Sequence, residues 1–245
     1  MRNIKLTIEY DGKDFNGWQK QPNKLNIQGT IEKAIESIVG HEVKLTASGR
    51  TDAGVHALGQ VANFKTNSQI PIEKFAIAIN SRLKKSIVIK NAEEVEERFH
   101  SRLNCKEKTY RYIINNSKQG TAIYRNLEYH ISNNLDIKKM QEAAKFFEGE
   151  HDFKAFKASG TSSKSSVRVI YKAEVYTKGD RVFIELTGSG FLYNMVRIIS
   201  GTLVEVGVGK IDPQAIPEII ASGKRENAGK TLPAHGLYLV SVSYK

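Results

Sequence analysis

Ala47-Ser48-Gly49-Arg50-Thr51-Asp52-Ala53-Gly54-Val55-His56-Ala57 lies between two runs of β character, Val43-Lys44-Leu45-Thr46 before it and Val61-Ala62-Asn63-Phe64 after it. Glycines at 49 and 54 mark backbone that turns, so the spacing predicts a tight loop joining two strands. Arg50 and Asp52 are two residues apart and share a face if the backbone there is extended. A guanidinium beside a carboxylate lowers its pKa and keeps it ionised, which makes Asp52 a candidate anionic nucleophile rather than a general acid. Taken alone, an Arg-x-Asp triplet is more often a turn aspartate with a structural arginine partner.

Outward from that loop the chain alternates short strands and helices. Ile4, Leu6, Ile8 and Tyr10 alternate with Asn3, Lys5, Thr7 and Glu9, the pattern of a half-buried strand, and Asp11-Gly12 ends it. Ile31, Ile35 and Ile38 give residues 27–39 a helical period, with Gly40 as the stop. A second helix begins at Pro71 and puts Ile72, Phe75, Ala76, Ile79 and Leu83 on one face; residues 86–89 read as a strand. After Lys106 the pattern restarts. A strand at 109–114 is followed by a helix that Asp136 caps and Leu135 staples onto Met140. Residues 169–177 and 181–187 form a hairpin across Lys178-Gly179-Asp180. An apolar helix spans 191–206, Asp212-Pro213 opens another, and Tyr238, Val240, Val242 and Tyr244 alternate in a closing strand. No linker rich in glycine or proline divides the chain. The restart predicts two similar α+β halves, 1–105 and 106–245, with mainly antiparallel pairing because several connections are short.

A chain of 245 residues with 40% hydrophobic content forms one large domain or two ordinary ones. No apolar run approaches the roughly 18 residues of a membrane span, and Met1-Arg2-Asn3-Ile4-Lys5 lacks the apolar stretch of a signal peptide, so a cytoplasmic protein is expected. The single cysteine, Cys105, excludes an internal disulfide and a thiolate-rich zinc site. Histidines 41, 56, 100, 130, 151 and 235 are scattered without metal spacing, and no phosphate-binding G-x-x-x-x-G-K-[ST] string occurs. Neither a metal nor a cofactor is expected. A net charge of +11 favours a polyanionic partner, since neutralising phosphates releases counterions. Residues 153–173 contain no acid but carry Lys154, Lys157, Lys164, Arg168 and Lys172 around a flexible Ser159-Gly160-Thr161-Ser162-Ser163 centre. Arg98, Arg102, Lys106, Lys108 and Arg111 interleave with Phe99, His100, Tyr110 and Tyr112, a mixture suited to a ribose-phosphate chain with unstacked bases.

Gly49-Arg50-Thr51-Asp52-Ala53-Gly54-Val55-His56-Ala57 resembles the signature of the tRNA pseudouridine synthase A (TruA) family, whose members isomerise uridine in tRNA. Other blocks carry the resemblance along the chain: Gly17-Trp18-Gln19-Lys20-Gln21, Phe99-His100-Ser101-Arg102, Lys108-Thr109-Tyr110-Arg111-Tyr112, Gly190-Phe191-Leu192-Tyr193-Asn194-Met195-Val196-Arg197 and Ala234-His235-Gly236-Leu237-Tyr238-Leu239. The resemblance implies two α+β halves whose sheets join into one, with helices on one side and a central basic cleft. It implies that Asp52 is the catalytic aspartate and Arg50 its companion, that Tyr110 contacts the target base, that Arg197 lies near Asp52, and that Leu237 walls the uracil pocket. It further implies tRNA as partner, action at positions 38 to 40 of the anticodon stem-loop, and a homodimer.

The reaction moves uracil from an N-glycosidic to a C-glycosidic bond and needs no redox group. It needs a carboxylate at the sugar, a base taken out of its stack, and a surface that holds the detached ring. Asp52 fits the first role, by attack at C1′ or by assisting glycal formation, and Tyr110 fits the third. Trp18 reads either as a packing residue under its loop or as a base contact. One departure is visible: Leu83-Lys84-Lys85-Ser86 stands before Ile87, where the family commonly has Leu-Pro and an acid. The competing readings are a non-catalytic tRNA-binding protein or RNA chaperone, and a glycosidase, which would want two cooperating carboxylates.

Overall fold

The period-two run at the N-terminus is a strand, and most of the helical periods are helices. The structure, a computed structural model, describes residues 1–160 and 165–245; Thr161, Ser162, Ser163 and Lys164 of the expected basic loop lie outside them. In chain order the elements are β1 (Arg2–Tyr10), α1 (Ile27–Val39), β2 (Thr46–Ala47), β3 (His56–Thr66), α2 (Ile72–Asn80), β4 (Ile87–Val95), β5 (Glu107–Asn115), β6 (Tyr129–His130), α3 (Ile137–Lys145), β7 (Gly149–Asp152), β8 (Val167–Lys178), β9 (Arg181–Gly188), α4 (Met195–Gly207), α5 (Ile216–Ser222) and β10 (Leu237–Ser243). They fall into two compact units, Met1–Lys106 with Tyr238–Lys245, and Glu107–Leu237. The α+β class with mainly antiparallel pairing is as expected. Among the described residues no helix is long and apolar enough to cross a membrane.

In the first unit β1 lies between β3 and β4, antiparallel to both, and β10 runs parallel to β3 with Tyr238 opposite His56. Ile4 faces Phe64 and Leu6 faces Ala62 across the ladder, and all four are buried. Phe64 meets Phe75 of α2 edge-on at 6.2 Å, while α1 contributes the fully buried Ile27, Ile31 and Ile35. Asn26 caps α1 by accepting the Gly29 N–H, and Gly40 ends it in the left-handed conformation. The expected strand at 43–46 shrinks to Thr46–Ala47. Its donors go elsewhere: the Val43 and Leu45 N–H groups bond the Glu36 and Glu32 carboxylates of α1 at 3.3 and 3.0 Å. Pro71 precedes α2 as its cap residue rather than starting it.

The second unit has the order β5-β9-β8-β7, all antiparallel, with β6 added parallel to β5. Tyr112, Ile184 and Val175 line up across three strands and are buried. The β8–β9 hairpin forms as the sequence predicts but with a shorter turn, Lys178 pairing with Arg181, after a register shift between Ile170 and Lys172. The apolar helix starts at Met195 rather than 191, because Asn194 takes a left-handed conformation (φ 60°) that a continuing helix excludes. Asp212 caps a 3₁₀ turn at Pro213–Ala215, and α5 begins only after it.

Candidate active site

In the first unit the Ser48–Val55 loop is clamped along its backbone by the segment from Tyr10 to Trp18. The Trp18 N–H donates to the Thr51 carbonyl at 3.0 Å, and the Tyr10 and Thr51 hydroxyls bond at 2.7 Å. Gly54 N–H donates to the Phe15 carbonyl, and Val55 N–H closes a turn onto the Asp52 carbonyl at 3.2 Å. On the strand side Gln60, fully buried, accepts from the Ser48 hydroxyl at 2.7 Å and donates to the Gly49 carbonyl at 3.0 Å. Gly12 is required here, since a Cβ on it would stand 2.0 Å from the Val55 carbonyl oxygen. His56 begins β3 with Nδ1 at 3.1 Å from the Gly12 N–H and its ring stacked on Tyr238 at 4.8 Å. Burial pushes the Tyr10 hydroxyl well above its usual pKa, so it remains a neutral partner for Thr51.

Asp52 emerges half-buried from this clamp, whereas Arg50 is exposed. Among the described residues Arg50 makes no hydrogen bond or ion pair. The expected Arg50–Asp52 pair is therefore absent, while Thr51 between them is buried and bonded to Tyr10 and Trp18. Trp18 is 2% exposed, with its ring 6.2 Å from that of Tyr10, so of the two readings the packing one holds. Its main-chain carbonyl accepts from Gln28 N–H and fixes the loop to the start of α1.

In the second unit three sequence blocks converge. Tyr110 on β5 is 8% exposed and meets Phe191 edge-on at 5.2 Å. Asn194 turns the chain into α4 and accepts from Arg197 Nη1 at 2.8 Å, while Arg197 Nε donates to the Leu232 carbonyl at 2.6 Å. Arg197 is thus half-buried and held by both its own block and the Thr231–Leu237 segment. Tyr112 donates to the next carbonyl, Pro233, at 2.7 Å, and its ring lies so close to Gly236 that a Cβ there would approach it to 2.6 Å. Burial drives the Tyr112 hydroxyl strongly upward in pKa against a smaller opposing pull from Arg197. Leu237 follows at 6% exposure. Ala158 N–H bonds the Tyr193 carbonyl, which ties the acid-free 153–173 stretch to the same block.

That stretch is less uniformly available than its sequence suggests. Lys172 pairs with Glu174 at 2.7 Å, and Arg168 turns onto the carbonyls of Ser165 and Val167, its pKa lowered by burial. Lys154 is exposed. Tyr10, Gly12, Gln60 and Asn194 position the candidate residues and were not singled out by sequence; the alternation that marks Tyr10 as a strand residue says nothing of its hydroxyl partner. Among the described residues no three His, Cys, Asp or Glu side chains are grouped so as to hold a metal ion.

A profile of the tRNA pseudouridine synthase family matches residues 6–104 and 143–245, spans that hold Asp52, Arg197 and Leu237 but not Tyr110. The chain is 54% identical over 244 residues to tRNA pseudouridine synthase A of Acetivibrio thermocellus and 54% identical over 245 residues to the protein of that name in Ruminiclostridium cellulolyticum. It is 51% identical over 244 residues to tRNA pseudouridine synthase A 2 of Clostridium perfringens. Each of these alignments covers 100% of both chains.

Proposed function

This chain belongs to the tRNA pseudouridine synthase family, and on that premise we propose that it isomerises uridine to pseudouridine at positions 38, 39 and 40 of the tRNA anticodon stem-loop, with Asp52 acting at C1′ of a flipped nucleotide. The C1′–N1 bond breaks, the C1′–C5 bond forms, C5 gives up its proton and N1 gains one, so no oxidant, metal or cofactor enters the balance. A carboxylate serves at C1′ because the sugar becomes electron-poor as the base leaves, whether the oxygen bonds to it or assists proton loss toward a glycal.

The observation that carries this reading is the clamp on the Ser48–Val55 loop. Its backbone is fixed by buried partners from Tyr10 to Trp18 and by Gln60, and what it delivers is one half-buried carboxylate. Preorganising a single acid in this way suits catalysis better than a turn aspartate does. Tyr110, braced by Phe191, serves as the flat surface for the free uracil, with stacking of about 1–3 kcal/mol. Arg50, without an ion pair among the described residues, is available to the RNA and can fill the space the flipped nucleotide leaves. Arg197 supplies positive charge to the reacting carboxylate, and Leu237 walls the uracil. The labour divides between residues 1–105, with the carboxylate, and 106–245, with Tyr110 and most of the other substrate contacts.

The chain works in the cytoplasm, where its substrate is, and as a homodimer. The deciding experiment is pseudouridine mapping of bulk tRNA from cells with and without this protein. Loss of the signal at positions 38 to 40 is expected; an unchanged map in the deletion strain overturns the assignment.

A further inference from the structure

The segment from Glu96 to Asn104 is an irregular connection, yet it is held by a buried polar network. Asn3, 1% exposed, donates through Nδ2 to the carbonyls of Glu96 and Phe99 at 3.0 and 2.9 Å. Asn63, 7% exposed, donates to Asn3 Oδ1 at 2.9 Å and accepts at its own Oδ1 from both the N–H and the hydroxyl of Ser101, at 2.9 and 2.8 Å. Tyr244 adds a bond to the Ser101 carbonyl at 2.8 Å, and its ring meets Phe99 at 5.0 Å. Beyond Ser101 the chain folds onto His100, whose Nδ1 accepts the N–H groups of Arg102 and Leu103 at 3.1 and 3.3 Å, while Asn104 Oδ1 accepts the His100 N–H at 2.7 Å.

Such a network does more than contribute stability. Replacing both partners of a buried hydrogen bond with apolar groups of like shape is close to neutral, whereas a fully satisfied network fixes one conformation. Here the fixed conformation presents a guanidinium. Arg102 is exposed, and among the described residues its side chain has no hydrogen bond or ion pair, whereas Arg98 nearby is held by Glu96 at 3.0 Å. A planar fork on a rigid backbone meets a phosphate with only its own side-chain rotamers left to order.

We propose that the 98–104 loop is a preformed contact for the RNA sugar-phosphate backbone, with Arg102 as its phosphate ligand. Asn63 lies seven residues along β3 from His56, roughly 20 Å at the usual strand rise, so this contact grips RNA away from the nucleotide at Asp52. The proposal rests on tRNA being the substrate but not on isomerisation.

The test compares Arg102→Ala with Lys33→Ala, an exposed charge on α1, in the purified full chain, measuring tRNA affinity between about 50 and 200 mM salt. For Arg102→Ala we expect roughly tenfold weaker binding at low salt and a salt slope shallower by about 0.9, the value of one phosphate contact. KM should rise by the same factor and kcat should stay within about twofold, as for lost uniform binding. Arg102→Lys should keep the slope and recover part of the affinity. If Arg102→Ala binds with the affinity and slope of Lys33→Ala, the proposal is wrong. Pseudouridine formation by the wild type is measured in parallel: a wild type that makes none, beside an Arg102→Ala variant with lost binding, removes the isomerase reading and leaves this contact standing.

Discussion

Two irregular segments, Ser48–Val55 in the first unit and Thr231–Leu237 in the second, are both held rigid, by different means. The first is gripped through its backbone and through side chains that have no part in the proposed chemistry, chiefly Tyr10, Gln60 and the close approach of Gly12. Asp52 enters that scaffolding through its main-chain carbonyl, which accepts the Val55 N–H. The second segment is gripped by a candidate site residue, Arg197 on the Leu232 carbonyl, and by Tyr112 on the Pro233 carbonyl. In the first unit the supporting side chains are distinct from the proposed catalytic one; in the second Arg197 serves both purposes.

The sharpest way to break that contrast is Gly12→Ala. Its Cβ would meet Val55 backbone at 2.0 Å, so the loop must move; overpacking of this kind costs about 1–3 kcal/mol, and turnover should fall by two orders of magnitude or about that. Urea unfolding alongside a pseudouridine assay checks both, and an active Gly12→Ala enzyme would show that the clamp is dispensable. Next in size is the pair Arg197→Lys and Arg50→Lys. An ammonium cannot reproduce Arg197's directed bonds to Leu232 and Asn194, so stability should drop by about 1.5–3 kcal/mol together with kcat. Arg50→Lys should lower activity at unchanged unfolding midpoint, because Arg50 has no hydrogen bond or ion pair among the described residues. Equal stability losses in the two variants would erase the distinction. Smallest is Tyr112→Phe, which removes the bond to Pro233 and should cost about 1 kcal/mol in thermal or urea unfolding. Because burial raises the Tyr112 pKa above the ordinary 10.0, the unfolded chain loses this proton first, and stability falls as pH climbs past about 10. Tyr112→Phe should flatten that alkaline decline, which a pH series of unfolding midpoints measures.

What could be read from sequence was whatever is local. Gly40 ends α1 as its place after the isoleucine period predicts, and the β8–β9 hairpin follows from alternation around Gly179-Asp180. The run at 43–46 misled because its N–H groups are taken by Glu32 and Glu36, side chains that come from another element. Asn3 was placed on the open side of β1 by its polarity, yet it is buried because the 96–104 loop covers that side, a fact no period encodes. The motif around Asp52 was legible, but the pairing inferred from Arg-x-Asp spacing was not realised, since Thr51 between them takes the anchoring role through Tyr10 and Trp18. Trp18 packs because Tyr10 and the loop above it cover its ring, a tertiary arrangement with no local sequence signal.

The central claim is that one carboxylate, on a loop held by Tyr10, Trp18 and Gln60, performs the chemistry. Single-turnover assays of Asp52→Asn on unmodified tRNA test it most directly, with binding measured on the same preparation. The account predicts tRNA affinity within about threefold of wild type and a rate lower by on the order of 10⁴-fold or more. Pseudouridine formed by Asp52→Asn at a rate near that of the wild type would contradict it.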